Sequence, residues 1–329
     1  ADAAANPRFV EEAYKTALSA YLFVEPPQRE QALAMMAALD EANGDGPEAR
    51  AKLTRLYVGL GVQLQRRLKD LQAAGFADRA RTLAGAFEEL LKRASEGADS
   101  ANWQTQLWLA QTSQQLGEGL TGKDAAPYFA QAEAAYRALL AAADKGGADA
   151  PPVGELIKFQ KLLGDCLRGQ GKFDEAMTAY GQVLAERTSQ LDVQQAAART
   201  LMEQGIAEGN AGPLERSIHG DQPQAQGTNL VWGWLKLAKT VEGARRLELR
   251  TKGADSPRAA QLADVFFDAR YNAARARLEA AMLAAGDERA KQLATVRQSV
   301  EAMKNLYPDL GGTKWNAAFA ELAKEAAGK

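Results

Sequence analysis

Leu163–Leu184 reads LGDCLRGQGKFDEAMTAYGQVL, and this stretch decides the fold. Small residues stand at Gly164, Gly171 and Ala176, and large ones at Leu163, Leu167, Phe173, Tyr180 and Leu184. The periodicity predicts helices over 154–170 and 173–187, joined at Gly171-Lys172. In such an antiparallel pair the small residues let the backbones approach, and the large ones fill the space between one pair and the next.

Working outward, the composition predicts helices throughout. Alanine supplies 68 of the 329 residues, while isoleucine occurs only at Ile157, Ile206 and Ile218. Alanine favours helix, and a β-rich chain would draw on β-branched residues. The length exceeds one compact bundle but suits a solenoid, in which each unit packs on its neighbours. Punctuation by Gly and Pro divides the chain into successive helices. The expected pairs are 7–23 with 28–43, 48–74 with 77–95, 102–116 with 126–143, and 154–170 with 173–187. There follow 191–205 with a short 213–218, a helix over 229–250, a pair at 257–285 and 287–306, and a last helix at 313–326. On that last helix Trp315, Phe319 and Leu322 point inward, and Lys314, Glu321, Lys324 and Glu325 face water. Trp232 and Trp234 lie two residues apart, so on a helix they cannot share a face. One is expected inside and the other toward a neighbouring unit.

An alanine opens the packing face of each of the first four second helices, at Ala32, Ala80, Ala132 and Ala176. Ala132 and Ala176 are each followed four residues later by a tyrosine, Tyr136 and Tyr180. These features resemble the tetratricopeptide repeat (TPR), a helix–turn–helix unit of about 34 residues. The intervals between the alanines, 48, 52 and 44 residues, are longer, so these units carry extra turns or loops. The likeness is strongest over 156–190. From about residue 215 onward the order IHG, VWGW, ARYNAA and LYPDLGG-x-x-W resembles the tail of long bacterial multi-TPR proteins. The resemblance implies an all-α, right-handed TPR-like solenoid of about six helix pairs with a C-terminal capping helix. Its expected segments are 1–150 (divergent pairs), 151–220 (the well-matched unit and a shortened pair) and 221–329 (the C-terminal helices and cap).

Charge and motif content narrow the function. There are 40 basic and 42 acidic residues, giving a net charge of −2, without the basic surplus of a nucleic-acid footprint. No apolar run approaches a membrane span. Cys166 is the single cysteine, excluding an internal disulfide, and is expected as a small buried hydrophobe. GEGLTGKD at 117–124 imitates a phosphate-binding loop, but a Gln-rich helix precedes it and Asp124 replaces the hydroxyl that would hold Mg²⁺. Asp124 instead suits a helix N-cap. His219 is the only histidine; with Ser217 and Asp221 nearby it lacks a nucleophile elbow and reads as a residue near a helix C-terminus. Paired carboxylates such as Glu88-Glu89 and Asp174-Glu175 are expected on solvated faces. No catalytic set, metal site or cofactor is assigned.

The TPR resemblance implies that first helices line a concave face. There it places Lys158, Lys161, Asp165 and Arg168 of one unit, and Gln104, Gln111, Gln114 and Gln115 of the preceding one. Lys161 matches a lysine with which some TPR proteins clamp a terminal carboxylate, but Asp165 stands where that clamp has Asn. The expected function is a non-catalytic interaction or scaffolding module for a peptide or protein. The alternatives are a structural subunit of a cell-envelope assembly, or an α-helical enzyme acting on glycans or peptides. The alanine-rich start fits a signal-cleavage product, which would place the protein in the periplasm or envelope. It equally fits a domain cut, with a cytoplasmic location.

Overall fold

The structure, a computed structural model, describes residues 7–24, 26–44, 46–96, 102–120, 124–147, 150–221, 230–253 and 255–328. Among these residues all regular structure is helical: fourteen α-helices and one 3₁₀ turn. The fold is an all-α helical repeat, as the periodicity predicts. It divides into two compact units, Ala1–Gln170 and Gly171–Lys329, with the boundary inside Leu163–Leu184.

The first unit contains α1 (Pro7–Phe23), α2 (Arg29–Asn43), α3 (Pro47–Ala73), α4 (Ala77–Glu96), α5 (Trp103–Glu118), α6 (Ala126–Lys145) and α7 (Leu156–Gly169). Sequence neighbours pack together: α1 on α2, α3 on α4, α5 on α6 and α6 on α7, with α5 also reaching α7. Leu18, Met36, Leu39, Tyr57 and Leu64 form one buried core. Farther along, Phe129 of α6 is wedged between two glycines. A Cβ on Gly117 would lie 3.0 Å from its ring, and one on Gly169 2.6 Å. The C-terminal ends of α5 and α7 therefore both close onto α6 through positions with no side chain. Cys166 is fully buried, as expected, and its Sγ donates to the Phe129 carbonyl at 3.2 Å. Asp124 is not the cap of α6: the helix begins two residues later behind Ala125, and Asp124 lies 3.5 Å from Arg81 Nε.

The second unit contains α8 (Phe173–Glu186), α9 (Leu191–Glu208), α10 (Ala211–His219), α11 (Gly233–Lys252), α12 (Pro257–Leu283), α13 (Gly286–Leu306) and α14 (Thr313–Ala327). Here the closest approach is backbone on backbone. Gly220 (φ 79°) ends α10 and Gly233 (φ 67°) begins α11. A Cβ on Gly233 would collide with the Gly220 nitrogen, and one on Gly220 with the Val231 carbonyl. The buried Gln194 of α9 locks this crossing. Its Nε2 donates to the carbonyls of Thr188 (2.8 Å) and Leu230 (2.9 Å), and its Oε1 accepts from the Trp232 backbone N–H (2.8 Å).

That crossing corrects the reading of the tryptophans. Trp232 precedes the helix, and the positive φ of Gly233 redirects the chain, so helical spacing does not govern the pair. Trp232 and Trp234 both enter one core with Leu237, Phe266, Phe267 and Phe319. The segment 307–312 wraps Phe267: buried Leu310 sits at φ 44°, and a Cβ on Gly311 would strike the Phe267 ring. As expected, α14 buries Trp315, Phe319 and Leu322, and it packs on α12 and α13. Two residues of its polar face also pair with α12: Glu325 accepts from Arg275 Nη1 at 2.9 Å, and Lys314 Nζ donates to Asp264 Oδ1 at 3.0 Å.

Two glycines on α11 separate crowding from propensity. Gly233→Ala should cost at least about 3 kcal/mol, combining overpacking with a strained backbone. Gly243→Ala, where a Cβ would meet no atom within 4 Å, should add about 0.5–1 kcal/mol. Urea unfolding of both variants checks the pair; equal effects would contradict the crossing.

Candidate partner-binding face

Within the first unit, α5 and α7 are neighbours whose N-terminal ends meet at Trp103 and Phe159, with ring centroids 6.2 Å apart. On α7, Phe159, Leu163, Cys166 and Leu167 are buried, leaving Lys158, Lys161, Asp165 and Arg168 on the opposite side. On α5 the less buried stripe is Gln104, Trp108, Gln111, Gln115 and Glu118, spaced four, three, four and three residues apart.

Seven of the eight residues expected on this face are partly or fully exposed: Lys158, Lys161, Asp165, Arg168, Gln104, Gln111 and Gln115. Gln114 is a correction. It is 6% exposed, and both ends of its amide are used inside the fold. Its Oε1 accepts from the buried Tyr136 hydroxyl at 2.8 Å, and its Nε2 donates to Glu118 Oε1 at 2.9 Å. The phenol of α6 needs an acceptor, and Gln114 lies seven residues from buried Leu107, on the same side of α5. The residue that reasoning from the repeat missed is Trp108, half-buried against the first unit's core, which takes its place in this stripe.

The electrostatics are quieter than the row of cations suggests. Lys158 Nζ donates to Glu155 Oε2 at 3.3 Å, and Lys161 Nζ to Asp165 Oδ2 at 2.7 Å. Asp165 thus occupies the Lys161 ammonium. Asp165 and Arg168 are brought together with Glu118 and Gln170 around a cavity of about 460 Å³, floored by Phe129. The distal Lys158 and Gln104 lie outside it.

Two polar atoms on the α5 stripe are buried without a hydrogen-bond partner among the described residues: the donor Trp108 Nε1 and the acceptor Gln115 Oε1. They are seven residues apart, a rise of about 10.5 Å. Each such group costs about 1–3 kcal/mol when left unpaired.

The other motifs resolve into local structure. Ser217 Oγ donates to the Leu214 carbonyl, and Asp221 accepts from Arg216 Nη2 and the Val231 N–H. His219 Nε2 lies 3.6 Å from Glu215 Oε2, at the C-terminal end of α10 as expected. The three therefore form no relay. Glu88, Asp174 and Glu175 are exposed; the Glu89 side chain lies outside the described residues. Of 117–124, Thr121, Gly122 and Lys123 lie outside the described residues, as do Gln222–Thr228 of the polar loop. Among the described residues there is no metal-ligating cluster, and no helix is long and apolar enough to cross a membrane.

No protein-family model matches the chain, and no curated protein matches it. Among solved structures it is similar to a circular tandem repeat protein with novel repeat topology and enhanced subunit contact surfaces. That likeness has 12% identity and a TM-score of 0.38, covering 98% of this chain and 84% of the other.

Burial pushes the Tyr136 phenol well above the usual tyrosine range, and Cys166, Glu118 and Asp165 add to the shift. The fold thus favours the neutral phenol. The stability linked to it is complete below the unfolded value of about 10 and is lost as pH rises beyond it. Tyr136→Phe should lower stability at neutral pH by about 1–3 kcal/mol, because Gln114 loses its donor. It should also flatten the fall in urea midpoint between about pH 9 and about pH 11. Parallel pH curves for the two proteins would contradict this assignment.

Proposed function

We propose that this chain is a TPR-type, non-catalytic interaction module that receives a segment of a partner protein along α5 and α7. The single observation that carries the reading is the pairing of Trp108 and Gln115. A buried donor and a buried acceptor lie unpaired among the described residues, on the stripe that also presents Gln104 and Gln111. A polypeptide backbone supplies both complements, a carbonyl for the indole N–H and an N–H for the amide oxygen, once the two side chains rotate outward. The rise of about 10.5 Å between them matches three residues of extended chain at about 3.3 Å each. Amide side chains suit this role, because each donates and accepts. Lys158, Lys161, Asp165 and Arg168 form the second wall, with the 460 Å³ cavity at its C-terminal end. Their charges are partly satisfied by Glu155 and within the helix, so we assign them to selectivity and the amide stripe to affinity.

Trp108→Ala and Gln111→Arg should each weaken partner capture about tenfold, in line with the loss of an aromatic anchor or insertion of a charge into a close interface. The test is quantitative capture from the source cells' extract on immobilised wild type and variants, with far-ultraviolet circular dichroism confirming folding. Identical captured proteins in identical amounts on all three would overturn this face as the binding surface.

A further inference from the structure

The second unit holds a feature that the whole-chain charge hides. Helix α11 carries six basic side chains and two acidic ones in a protein of net charge −2. Lys236, Lys239, Arg246 and Arg250 fall on one face, with Gly243 in their midst and no carboxylate in the line. From Lys236 to Arg250 the stripe runs about 21 Å.

Beside it, α11, α12 and α13 enclose a cavity of about 340 Å³. Lys239, Arg246 and Arg270 line it against one carboxylate, Glu242. Glu242 is already occupied: its Oε1 accepts from Arg246 Nε (2.9 Å) and the Tyr307 hydroxyl (3.1 Å), and its Oε2 from Arg245 Nη1 (3.2 Å). Lys239 forms no ion pair among the described residues. Arg270 forms none either; its Nε donates to Met303 Sδ at 3.2 Å, a weak acceptor for a guanidinium. The rest of the lining is apolar, including Phe266, Met303 and Leu306, and Leu306 remains 68% exposed.

Gly243 is an independent sign. It lies in the middle of α11 and lines the cavity, yet an added Cβ would meet no atom of another described residue within 4 Å beyond its own helix backbone. A glycine in mid-helix costs about 0.5–1 kcal/mol relative to alanine. Internal packing does not require it here, and its effect is to open the cavity wall to something that comes close.

We infer that this cavity and stripe dock an acidic protein segment in which carboxylates alternate with large aliphatic or aromatic side chains. A carboxylate reaches Arg270 and Lys239, a neighbouring apolar side chain covers Phe266 and Leu306, and the backbone passes over Gly243. The volume lies at the small end of ligand sites, which run from roughly 300 Å³ upward, and holds one or two residues. The 21 Å stripe extends past it, which an extended segment can follow and a small anion cannot. Exposed Leu247 (55%) beside Arg246 continues the same mixture of cation and apolar surface. The inference shares the protein-binding reading above but uses a different face, so Trp108→Ala must leave it unchanged.

The probe is a labelled nine-residue peptide alternating Glu with Leu, acetylated and amidated, read by fluorescence anisotropy on the full chain. Saturable binding that weakens at least tenfold in the double variant Arg270→Gln, Lys239→Gln supports the site. Weakening of the same size in Gly243→Leu, with unchanged helicity and no loss of thermal stability, locates it. A peptide with Ser in place of Leu should bind at least fivefold more weakly. Absence of saturable binding, binding indifferent to both sets of variants, or equal binding of the Ser peptide would overturn the inference. Tighter binding of a twenty-nucleotide single-stranded DNA than of the peptide would overturn it in favour of a nucleic-acid site.

Discussion

In the second unit, two main chains touch where side chains would ordinarily hold helices apart. Gly220 and Gly233 leave no room for a methyl group between the end of α10 and the start of α11. That contact sets where α11 starts and redirects the chain after Trp232. It thereby allows both Trp232 and Trp234 into the core with Leu237 and Phe266. Because helices in a repeat pack on their sequence neighbours, an error at one crossing would pass to the next. The first unit meets the same constraint differently: Phe129 fills the space that Gly117 and Gly169 leave open.

The charged surface is organised mostly along helices. Lys161 with Asp165, Lys158 with Glu155 and Arg246 with Glu242 are all three or four residues apart. Lys158 with Glu155 is the most exposed of the three, and a pair of that kind contributes little to stability, about 0.3–0.5 kcal/mol. What they do instead is set which cations remain available. Lys158 and Lys161 of α7 are tied to carboxylates, whereas Lys239 of α11 and Arg270 of α12 form no ion pair among the described residues.

Much of the fold was legible in the sequence because Gly and Pro mark nearly every helix end. The expected 7–23, 77–95, 257–285 and 287–306 became Pro7–Phe23, Ala77–Glu96, Pro257–Leu283 and Gly286–Leu306. What escaped depended on local direction. The repeat pattern groups Gln114 with its exposed neighbours, but its seven-residue spacing from Leu107 puts it inward, toward the Tyr136 hydroxyl. The periodicity extends the helix over Trp232, but the helix starts one residue later, at a glycine with positive φ. The basic stripe of α11 was present in the spacing of Lys236, Lys239, Arg246 and Arg250, but the near-zero total charge averaged it away. Side-chain orphans such as Trp108 Nε1 have no signature in sequence, since they depend on what a neighbouring helix fails to offer.

The hydrogen bonds around Gln194 have a topological consequence. Asp221 and Val231 hold each other by two bonds, Asp221 N–H to the Val231 carbonyl at 3.0 Å and Val231 N–H to Asp221 Oδ2 at 3.2 Å. Gln194 grips Leu230 and Trp232 alongside them. The chain that leaves at 221 and returns at 230 therefore begins and ends at one fastened point. The contact of Gly220 on Gly233 is thus held by three residues at once, Asp221, Val231 and Gln194, and α10 and α11 are joined at their meeting ends as a pair of arms is joined at a clasp.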